Sequence, residues 1–116
     1  MAITDENLWL AEERFWTGGV EAFDDQVAEE CLIVLDRGGV LTRDFARAAT
    51  AANGGWSAVN ITGRHTARIG RTNVVLGYRA KAQQPGAAPY HALCSSTYRG
   101  GDDGWKLIQH QQTVVH

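Results

Sequence analysis

Apolar residues recur at helical spacing through the first half of the chain. Thr4 is followed by Asp5 and Glu6, so we predict that Thr4 caps a helix whose first turn is acidic. The pair at 18–19 ends this helix, because glycine adopts a left-handed cap at little steric cost. Three helices are predicted, with apolar faces at Leu8, Ala11 and Phe15, at Val20, Phe23 and Val27, and, after a cap at Thr42, at Phe45, Ala46 and Ala49.

The second half carries the two-residue alternation of β-strands. Residues 31–35 form an apolar run typical of a buried strand, and long strands are predicted over 56–69, 72–83, 90–99 and 105–115. This order predicts an α+β fold, with three N-terminal helices packed on a strongly curved antiparallel sheet. We expect a single domain over residues 1–116.

Composition and charge narrow the classes of function. The 116 residues include 11 Lys and Arg against 13 Asp and Glu, a net charge of −2, so we expect no nucleic-acid partner. No apolar run approaches the ~20 residues of a membrane span, and the polar amino terminus is unlike a signal peptide. Cys31 and Cys94 lack the spacing of a metal or redox motif, which favours reduced thiols and a cytoplasmic location.

Several segments together resemble one known family. They are Phe15–Trp16–Thr17–Gly18–Gly19–Val20–Glu21–Ala22–Phe23, Gly38–Gly39–Val40–Leu41–Thr42, Ser95–Ser96–Thr97–Tyr98–Arg99, Asp103–Gly104–Trp105–Lys106–Leu107 and His110–Gln111–Gln112–Thr113. With the order of elements, they are similar to the nuclear transport factor 2-like superfamily of cystatin-like, cone-shaped proteins. The resemblance is to a small stand-alone bacterial branch of unassigned function, related to ketosteroid isomerases and polyketide cyclases. It implies a pocket inside the cone and a homodimer formed through the outer sheet face.

Apolar residues on both faces of the predicted strands argue separately for self-association. Leu107 and Ile108 are neighbours, as are Ala92 and Leu93, and neighbours in a strand point to opposite faces. Three short helices cover one face only, so the other face would be a larger apolar patch than a monomer normally exposes. A second copy of the chain is therefore an expected partner, alongside an unknown small molecule.

The last hairpin predicts a polar cluster inside the cone. A five-residue loop over 100–104 would place Arg99 opposite Trp105 and Cys94 opposite His110. The resemblance directs the His110 face of the hairpin toward the cavity. The predicted cluster consists of Ser96, Tyr98, His110 and Gln112.

His110 is the candidate catalytic residue of this cluster, because an imidazole titrates near neutral pH and can act as general acid or base. The alternative is a half-buried histidine satisfied by a neighbouring hydroxyl or water. The candidate ligand-binding residues are Trp16 and Tyr78 in the pocket wall, with Ser96, Tyr98 and Gln112 as hydrogen-bonding groups. Each has a structural alternative, since aromatic residues also fill cores and amides also fix strands.

Ketosteroid isomerisation needs a carboxylate as its base, so the positions of the acidic residues indicate whether this chemistry extends to the chain. The matching position is Leu35, which cannot accept a proton, and Asp36 is expected in a turn outside the cone. Glu12 and Glu13 lie between Trp9 and Trp16 and are expected on a solvated helix face, with the alternative that one of them reaches the mouth of the cone. We therefore do not extend ketosteroid isomerisation to this protein.

The sequence predicts a small-ligand-binding protein with a cone pocket and leaves catalysis open, with acid–base chemistry at His110 on a small apolar molecule as the candidate. The alternative is a homodimeric association or accessory domain with a filled cone. A cavity of a few hundred Å³ would favour ligand binding. The four histidines show no metal-ligand spacing, so neither a metal nor another cofactor is expected: His65, His91, His110 and His116.

Overall fold

The structure is a computed structural model that describes residues 3–115. Its elements are α1 (Asp5–Thr17), α2 (Gly19–Gln26), β1 (Val27–Leu35), β2 (Gly39–Thr42), α3 (Arg43–Asn53), β3 (Ala58–Ile69), β4 (Asn73–Gln83), β5 (Tyr90–Gly101) and β6 (Gly104–Val114). The first strand begins at Val27, earlier than the predicted Cys31. Residues 39–42, which were expected to connect a strand to a helix, form β2.

The six strands form one sheet in the order β2-β1-β6-β5-β4-β3. β1 runs parallel to β6, and every other neighbouring pair is antiparallel. The helices pack on the sheet through contacts of α1 with β3, α2 with β6, and α3 with β1 and β2. The α+β prediction is confirmed, with two differences: α3 follows two strands, and the sheet is not wholly antiparallel because β1 and β6 are parallel.

α1 begins and ends where the sequence predicts. Thr4 Oγ1 accepts a hydrogen bond from Asn7 N at 3.2 Å, which satisfies one free amide of the first turn. At the other end Gly19 has a φ of +66°, a conformation that glycine adopts without strain. The chain can therefore start α2 directly after α1.

The segment before β3 lies against the end of α1. Trp56 N donates a hydrogen bond to Trp16 O at 2.9 Å. Gly55 approaches so closely that a Cβ atom at this position would lie 2.6 Å from Thr17 O. Glycine is thus required here by close packing of main chain on main chain, and the contact holds Trp56 beside Trp16.

β4 follows its predicted alternation, whereas α3 presents only part of its predicted face, with Ala46 buried as expected. The inward side chains of β4 are buried and the outward ones exposed: Val74, Leu76, Tyr78, Ala80 and Ala82 against Arg79, Lys81 and Gln83. On α3, Phe45 is 72% exposed although it was expected to face the core. Ala46 takes the buried position, and one helical step of about 100° turns Phe45 away.

The β5–β6 hairpin differs from the predicted register. Only residues 102–103 connect the strands, because pairing continues to the glycines on either side. The register also shifts near Ile108, which lies at a β-bulge. The structure pairs Arg99 with Lys106 and Ser96 with His110, instead of the predicted Arg99–Trp105 and Cys94–His110.

Some sequence expectations concern membranes, thiols and the chain ends. None of the helices in the described range is long and apolar enough to cross a bilayer. Cys31 and Cys94 are free and buried, and burial raises the pKa of each thiol to about 12. The outermost positions of the expected domain, Met1, Ala2 and His116, lie outside the described residues.

Candidate functional site

A buried carboxylate lies on the inner face of α1. Leu8, Glu12 and Trp16 follow one another at four-residue spacing, so they share one side of the helix. All three are buried, and Glu12 is 0% exposed. The expectation that Glu12 lies on a solvated face is therefore wrong. Its neighbour Glu13 is 40% exposed and pairs with Arg64 at 3.0 Å.

Three hydroxyl groups from the sheet surround this carboxylate. Tyr78 on β4 donates a short hydrogen bond to Glu12 Oε2, and Tyr98 on β5 donates to Oε1 at 2.7 Å. Ser96 Oγ lies 2.5 Å from Glu12 Oε2. Because a buried carboxylate is costly without hydrogen bonds, these hydroxyls take the place of water. No buried side-chain nitrogen or oxygen in the described part of the chain lacks a partner.

His110 on β6 continues this chain of hydrogen bonds. Its Nδ1 lies 2.6 Å from Ser96 Oγ and 3.6 Å from Glu12 Oε2. Its Nε2 lies 2.9 Å from Oε1 of Gln112, whose amide nitrogen donates to the Tyr90 hydroxyl at 3.0 Å. The strand register explains the first contact, since Ser96 and His110 are directly opposite each other.

Burial governs the charge of His110. The residue is 0% exposed, and the rings of Phe15 and Trp16 lie at centroid distances of 4.9 and 6.0 Å from the imidazole. Burial lowers the pKa of His110 below its ordinary value of 6.5, although Glu12 and Gln112 oppose the shift. At neutral pH the ring is therefore uncharged, with one N–H donor and one bare nitrogen.

A cavity of about 350 Å³ opens between the helices and the sheet, with His110 in its wall. On one side the rings of Trp56 and Tyr90 stack with centroids 5.1 Å apart, and Trp16 lies 6.1 Å from Trp56. Much of the remaining lining is formed by aliphatic residues of β1 and α3, such as Ile33 and Ala46. A concave, mostly apolar space with a few polar groups is typical of a small-molecule site.

The turn between β1 and β2 brings charge to the edge of the cavity. Asp36 lies in this turn, as predicted, but it lines the cavity although it was expected outside the cone. Its Oδ2 accepts a hydrogen bond from Val114 N at 3.4 Å. Arg37 beside it is exposed and also lines the cavity. Leu35 lines it as well, so the position matched to the isomerase base is apolar.

The predicted site residues fall into two layers. The cavity is lined by three of them: Trp16, His110 and Gln112. The others lie behind the wall and do not line the cavity: Tyr78, Ser96 and Tyr98. Their hydroxyls point to Glu12 under α1, so that carboxylate, which was not among the predicted partners, is their hydrogen-bond partner in the structure.

Glu12 is the main residue of the site that the sequence prediction missed. A signal was present, since Glu12 interrupts an apolar stripe between Leu8 and Trp16 at regular four-residue spacing. A carboxylate in such a stripe needs polar partners, and the partners come from strands far away in the sequence. Tyr90 was also not predicted at the site, although it lines the cavity.

The chemistry of this site is that of hydrogen bonding and proton exchange. Within residues 3–115, no group of three or more His, Cys, Asp or Glu side chains is arranged to hold a metal ion. The carboxylate, hydroxyl and imidazole are linked by short hydrogen bonds, so a proton can pass between them. The cavity beside them is lined in part by the aromatic rings of Trp16, Trp56 and Tyr90.

No protein-family model and no curated protein matches the sequence, but solved structures match its fold. A nuclear transport factor 2-like protein from Cytophaga hutchinsonii has a TM-score of 0.81 at 16% identity, covering 97% of this chain and 100% of that one. A provisionally assigned ketosteroid isomerase from Parabacteroides distasonis has 0.75 at 14% identity, covering 93% and 84%. A provisionally assigned calcium/calmodulin-dependent kinase II association domain from Exiguobacterium sibiricum has 0.76 at 15% identity, covering 100% and 98%.

Identities at this level show a shared fold. The similarity extends over nearly all of this chain and includes proteins described as cystatin-like. It agrees with the α+β architecture and the six-stranded sheet observed here. The chain has the nuclear transport factor 2-like, cystatin-like fold that its sequence resembles.

Proposed function

We propose that the protein binds one small, flat, largely apolar molecule in the cavity, and that His110 hydrogen-bonds to its polar group and exchanges a proton with it. The proposal is carried by one observation: an apolar cavity of about 350 Å³ has a fully buried imidazole in its wall, backed by a buried carboxylate. An unoccupied space of this size supports ligand binding over a filled cone.

The shape and polarity of the ligand follow from the lining. Trp16, Trp56 and Tyr90 offer ring faces and edges, which favour a planar, conjugated molecule. His110 and Gln112 offer hydrogen bonds on the β6 side of the cavity. A ring system with one hydroxyl or carbonyl group satisfies both parts of this lining.

A pair of probes tests the proposal: 2-naphthol, and naphthalene, which has the same rings without the hydroxyl. Binding is followed by tryptophan fluorescence. We expect both probes to bind, and 2-naphthol to bind roughly five- to tenfold more tightly, which corresponds to one hydrogen bond of about 1 kcal/mol. Failure of both probes to bind, together with a native mass spectrum that shows only the bare chain, would overturn the proposal.

Variants locate the binding site. In folded His110→Ala the advantage of 2-naphthol over naphthalene should disappear, and in Trp56→Ala both probes should weaken. Phe45→Ala is the matched control, because it removes an aromatic ring that is 72% exposed on α3, a helix that contributes to the cavity. An unchanged preference for 2-naphthol in His110→Ala would remove His110 from the proposed site.

A homodimer formed through the outer sheet face is the second proposal. Exposed apolar side chains support it: Leu32, Val34 and Leu93 point away from the helices and are 48%, 37% and 48% exposed. Between them on this face lie uncharged residues of β5 and β6: Ser95, Thr97, Gln109, Gln111 and Thr113. A second copy covering these positions of β1, β6 and β5 would bury apolar area, with Arg79 on β4, opposite Leu93, at the edge of the interface.

Sedimentation of paired variants tests the dimer. Leu93→Glu places a charge on the outer face and should give a monomer. Phe45→Glu places the same charge on an exposed apolar position of α3 and should leave the dimer intact. A monomeric wild-type protein at micromolar concentration, or equal dissociation of both variants, would contradict the proposed interface.

We also propose three general properties of the protein: a strongly curved sheet, a cytoplasmic location and a single domain. Register shifts in the β1–β6, β3–β4 and β5–β6 pairs support a strongly curved sheet, because bulges bend strands. The two free, buried thiols support a cytoplasmic location. One hydrophobic core shared by helices and sheet supports a single domain over residues 1–116.

A further inference from the structure

Short hydrogen bonds join α1 to the cavity through three side chains. Glu12 Oε2 lies 2.5 Å from Ser96 Oγ, and Ser96 Oγ lies 2.6 Å from His110 Nδ1. On its other side, His110 Nε2 lies 2.9 Å from the side-chain oxygen of Gln112, which lines the cavity. Every link is within hydrogen-bonding distance, so the number of protons available decides which atom donates in each.

If the neutral ring of His110 donates a hydrogen bond to Gln112, the number of available protons allows only one arrangement. The proton of His110 is then on Nε2, so Nδ1 is bare and accepts the single proton of Ser96. Tyr78 and Tyr98 each use their only proton on Glu12. The remaining hydrogen bond, between Glu12 Oε2 and Ser96 Oγ, then requires a proton on Glu12.

Removal of one proton gives a second arrangement that keeps the links between the three residues. If Nε2 loses its proton, the Ser96 proton moves to Nδ1 and the Glu12 proton moves to Ser96 Oγ. Ser96 now donates to Glu12, Nδ1 donates to Ser96, and Nε2 is bare. The imidazole is uncharged before and after, and the negative charge lies on Glu12, where three hydroxyls donate to it.

We propose that Glu12, Ser96 and His110 form a proton relay, in which Glu12 stores the proton that His110 Nε2 gives to, or takes from, a ligand in the cavity. The relay deepens the proposed function and rests on it, because it needs a ligand polar group at Nε2. Glu12 and Ser96 are positioning residues in this scheme, since they act on the ligand only through His110.

The surroundings favour a relay over a charged imidazole. An imidazolium would place a second charge in a site that is fully buried, whereas the relay confines charge to Glu12. The other titratable groups packed nearby keep their protons near neutral pH. Burial, reinforced by the charge of Glu12, raises the pKa of Tyr78 and Tyr98, and raises that of Cys94 to about 12.

Two further titratable groups lie at the edges of this cluster. Burial raises the pKa of Cys31 on β1 to about 12 and raises that of Tyr90 at the start of β5. The charges in the β1–β2 turn shift the pKa of Tyr90 in opposite directions: Asp36 raises it and Arg37 lowers it. The short contacts of Ser96 with Glu12 and His110 therefore remain as the path for an exchangeable proton.

Gln112 is suited to both arrangements. Its side-chain oxygen accepts from a protonated Nε2, and after rotation its amide group can donate to a bare Nε2. The Tyr90 hydroxyl, which contacts the same amide, can accept or donate accordingly. A ligand that reaches Nε2 replaces Gln112 as the hydrogen-bond partner of His110, so no further protein group has to move with the proton.

Nitrogen-15 NMR of the imidazole in the ligand-free protein tests the relay, because protonated and bare ring nitrogens have well-separated shifts. Over about pH 5 to 10, a range that includes the ordinary histidine pKa of about 6.5, we expect His110 to exchange one neutral tautomer for the other. Nε2 carries the proton at the lower end of this range and Nδ1 at the upper end. Titration to an imidazolium, or a single tautomer throughout, would overturn the relay.

Variants separate a relay from a merely structural contact. Glu12→Gln cannot lose a proton, so His110 should keep one tautomer at every pH, and Ser96→Ala should remove the exchange by breaking the path. Glu13→Gln, one position along α1, should leave the exchange unchanged. A tautomer exchange that persists in Glu12→Gln would overturn the relay even if Ser96→Ala does not fold.

The NMR measurement of the His110 tautomer is independent of the binding test with 2-naphthol. Loss of 2-naphthol binding with an intact tautomer exchange would overturn the ligand site and leave the proton path. Binding of 2-naphthol without any exchange would overturn the relay and leave the ligand site.

Discussion

Replacing Glu12 by alanine is expected to destabilise the protein severely, because it removes the group that hydrogen-bonds to three buried hydroxyls. Tyr78 and Tyr98 lose the group to which they donate, at about 1–3 kcal/mol for each stranded donor. Ser96 can turn its proton to His110 Nδ1, which lies 2.6 Å away, so its loss is smaller. The void adds about 1 kcal/mol, which brings the expected total to about 3–7 kcal/mol.

More conservative replacements should destabilise the protein less. Glu12→Gln keeps the volume and one carbonyl oxygen but turns an amide group toward a donor, so we expect about 1–3 kcal/mol. Glu13→Gln changes only an exposed ion pair with Arg64 and should stay within about 0.5 kcal/mol of wild type. The expected order of destabilisation is therefore Glu12→Ala, then Glu12→Gln, then Glu13→Gln.

Urea unfolding followed by tryptophan fluorescence measures these differences, with the slope m as a check that the unfolded state is unchanged. A double-mutant cycle adds Tyr98→Phe to each background. Removal of the Tyr98 hydroxyl should cost about 1 kcal/mol in wild type and close to nothing in Glu12→Ala. If Glu12→Ala costs no more than Glu13→Gln, or if the cycle shows no coupling, the buried hydrogen-bond cluster is refuted.

Three further outcomes are expected. In Glu12→Gln, which has no carboxyl proton to exchange, burial keeps the folded-state pKa of His110 below its ordinary 6.5. The unfolded chain of this variant binds more protons below about pH 6.5, so its unfolding free energy should fall from pH 7.5 to 5, and should fall less when His110→Gln is added. Gly55→Ala should lower the melting temperature clearly, since its Cβ would lie 2.6 Å from main-chain oxygen, whereas Gly77→Ala meets no atom within 4 Å and should change it little. Thr4→Ala removes the N-cap acceptor of α1 and should cost about 1 kcal/mol in urea unfolding.

The parts of the fold that local pattern determines could be predicted from the sequence. The alternation along β4 gave its buried face, because side chains in a strand alternate regardless of the neighbouring strands. Thr4 gave the start of α1 for a similarly local reason, since a cap needs only the adjacent turn. The prediction that Phe45 faces the core was wrong. Positions 45 and 46 are both apolar, and only the packing of α3 against the sheet decides which of them is buried.

Registers between strands were harder to predict. The glycines around residues 102–103 permit loops of several lengths, and each length gives a different pairing. A bulge near Ile108 then restores His110 to the inner face, and the sequence carries no separate signal for it. Ser96 and His110 therefore share a face as predicted, although they were expected to have different cross-strand partners.

The buried cluster needed tertiary structure for its recognition. Glu12 and its hydroxyl partners lie 66 to 86 residues apart in sequence, so no local pattern links them. A carboxylate within a helix is more often solvated, and only the facing hydroxyls show that this one is not. The sequence predicted that His110 and Ser96 lie together, and the structure places the Glu12 carboxylate beside them.

Neutron diffraction on deuterated crystals near neutral pD would test the central claim most directly, because it locates the protons of Glu12, Ser96 and His110. We expect an uncharged imidazole beside an open cavity, with deuterium on Nε2 and between Ser96 Oγ and Nδ1, and a further deuterium on Glu12 directed at Ser96. Deuterium on both ring nitrogens, or a ring whose Nδ1 does not face Ser96, would contradict the claim.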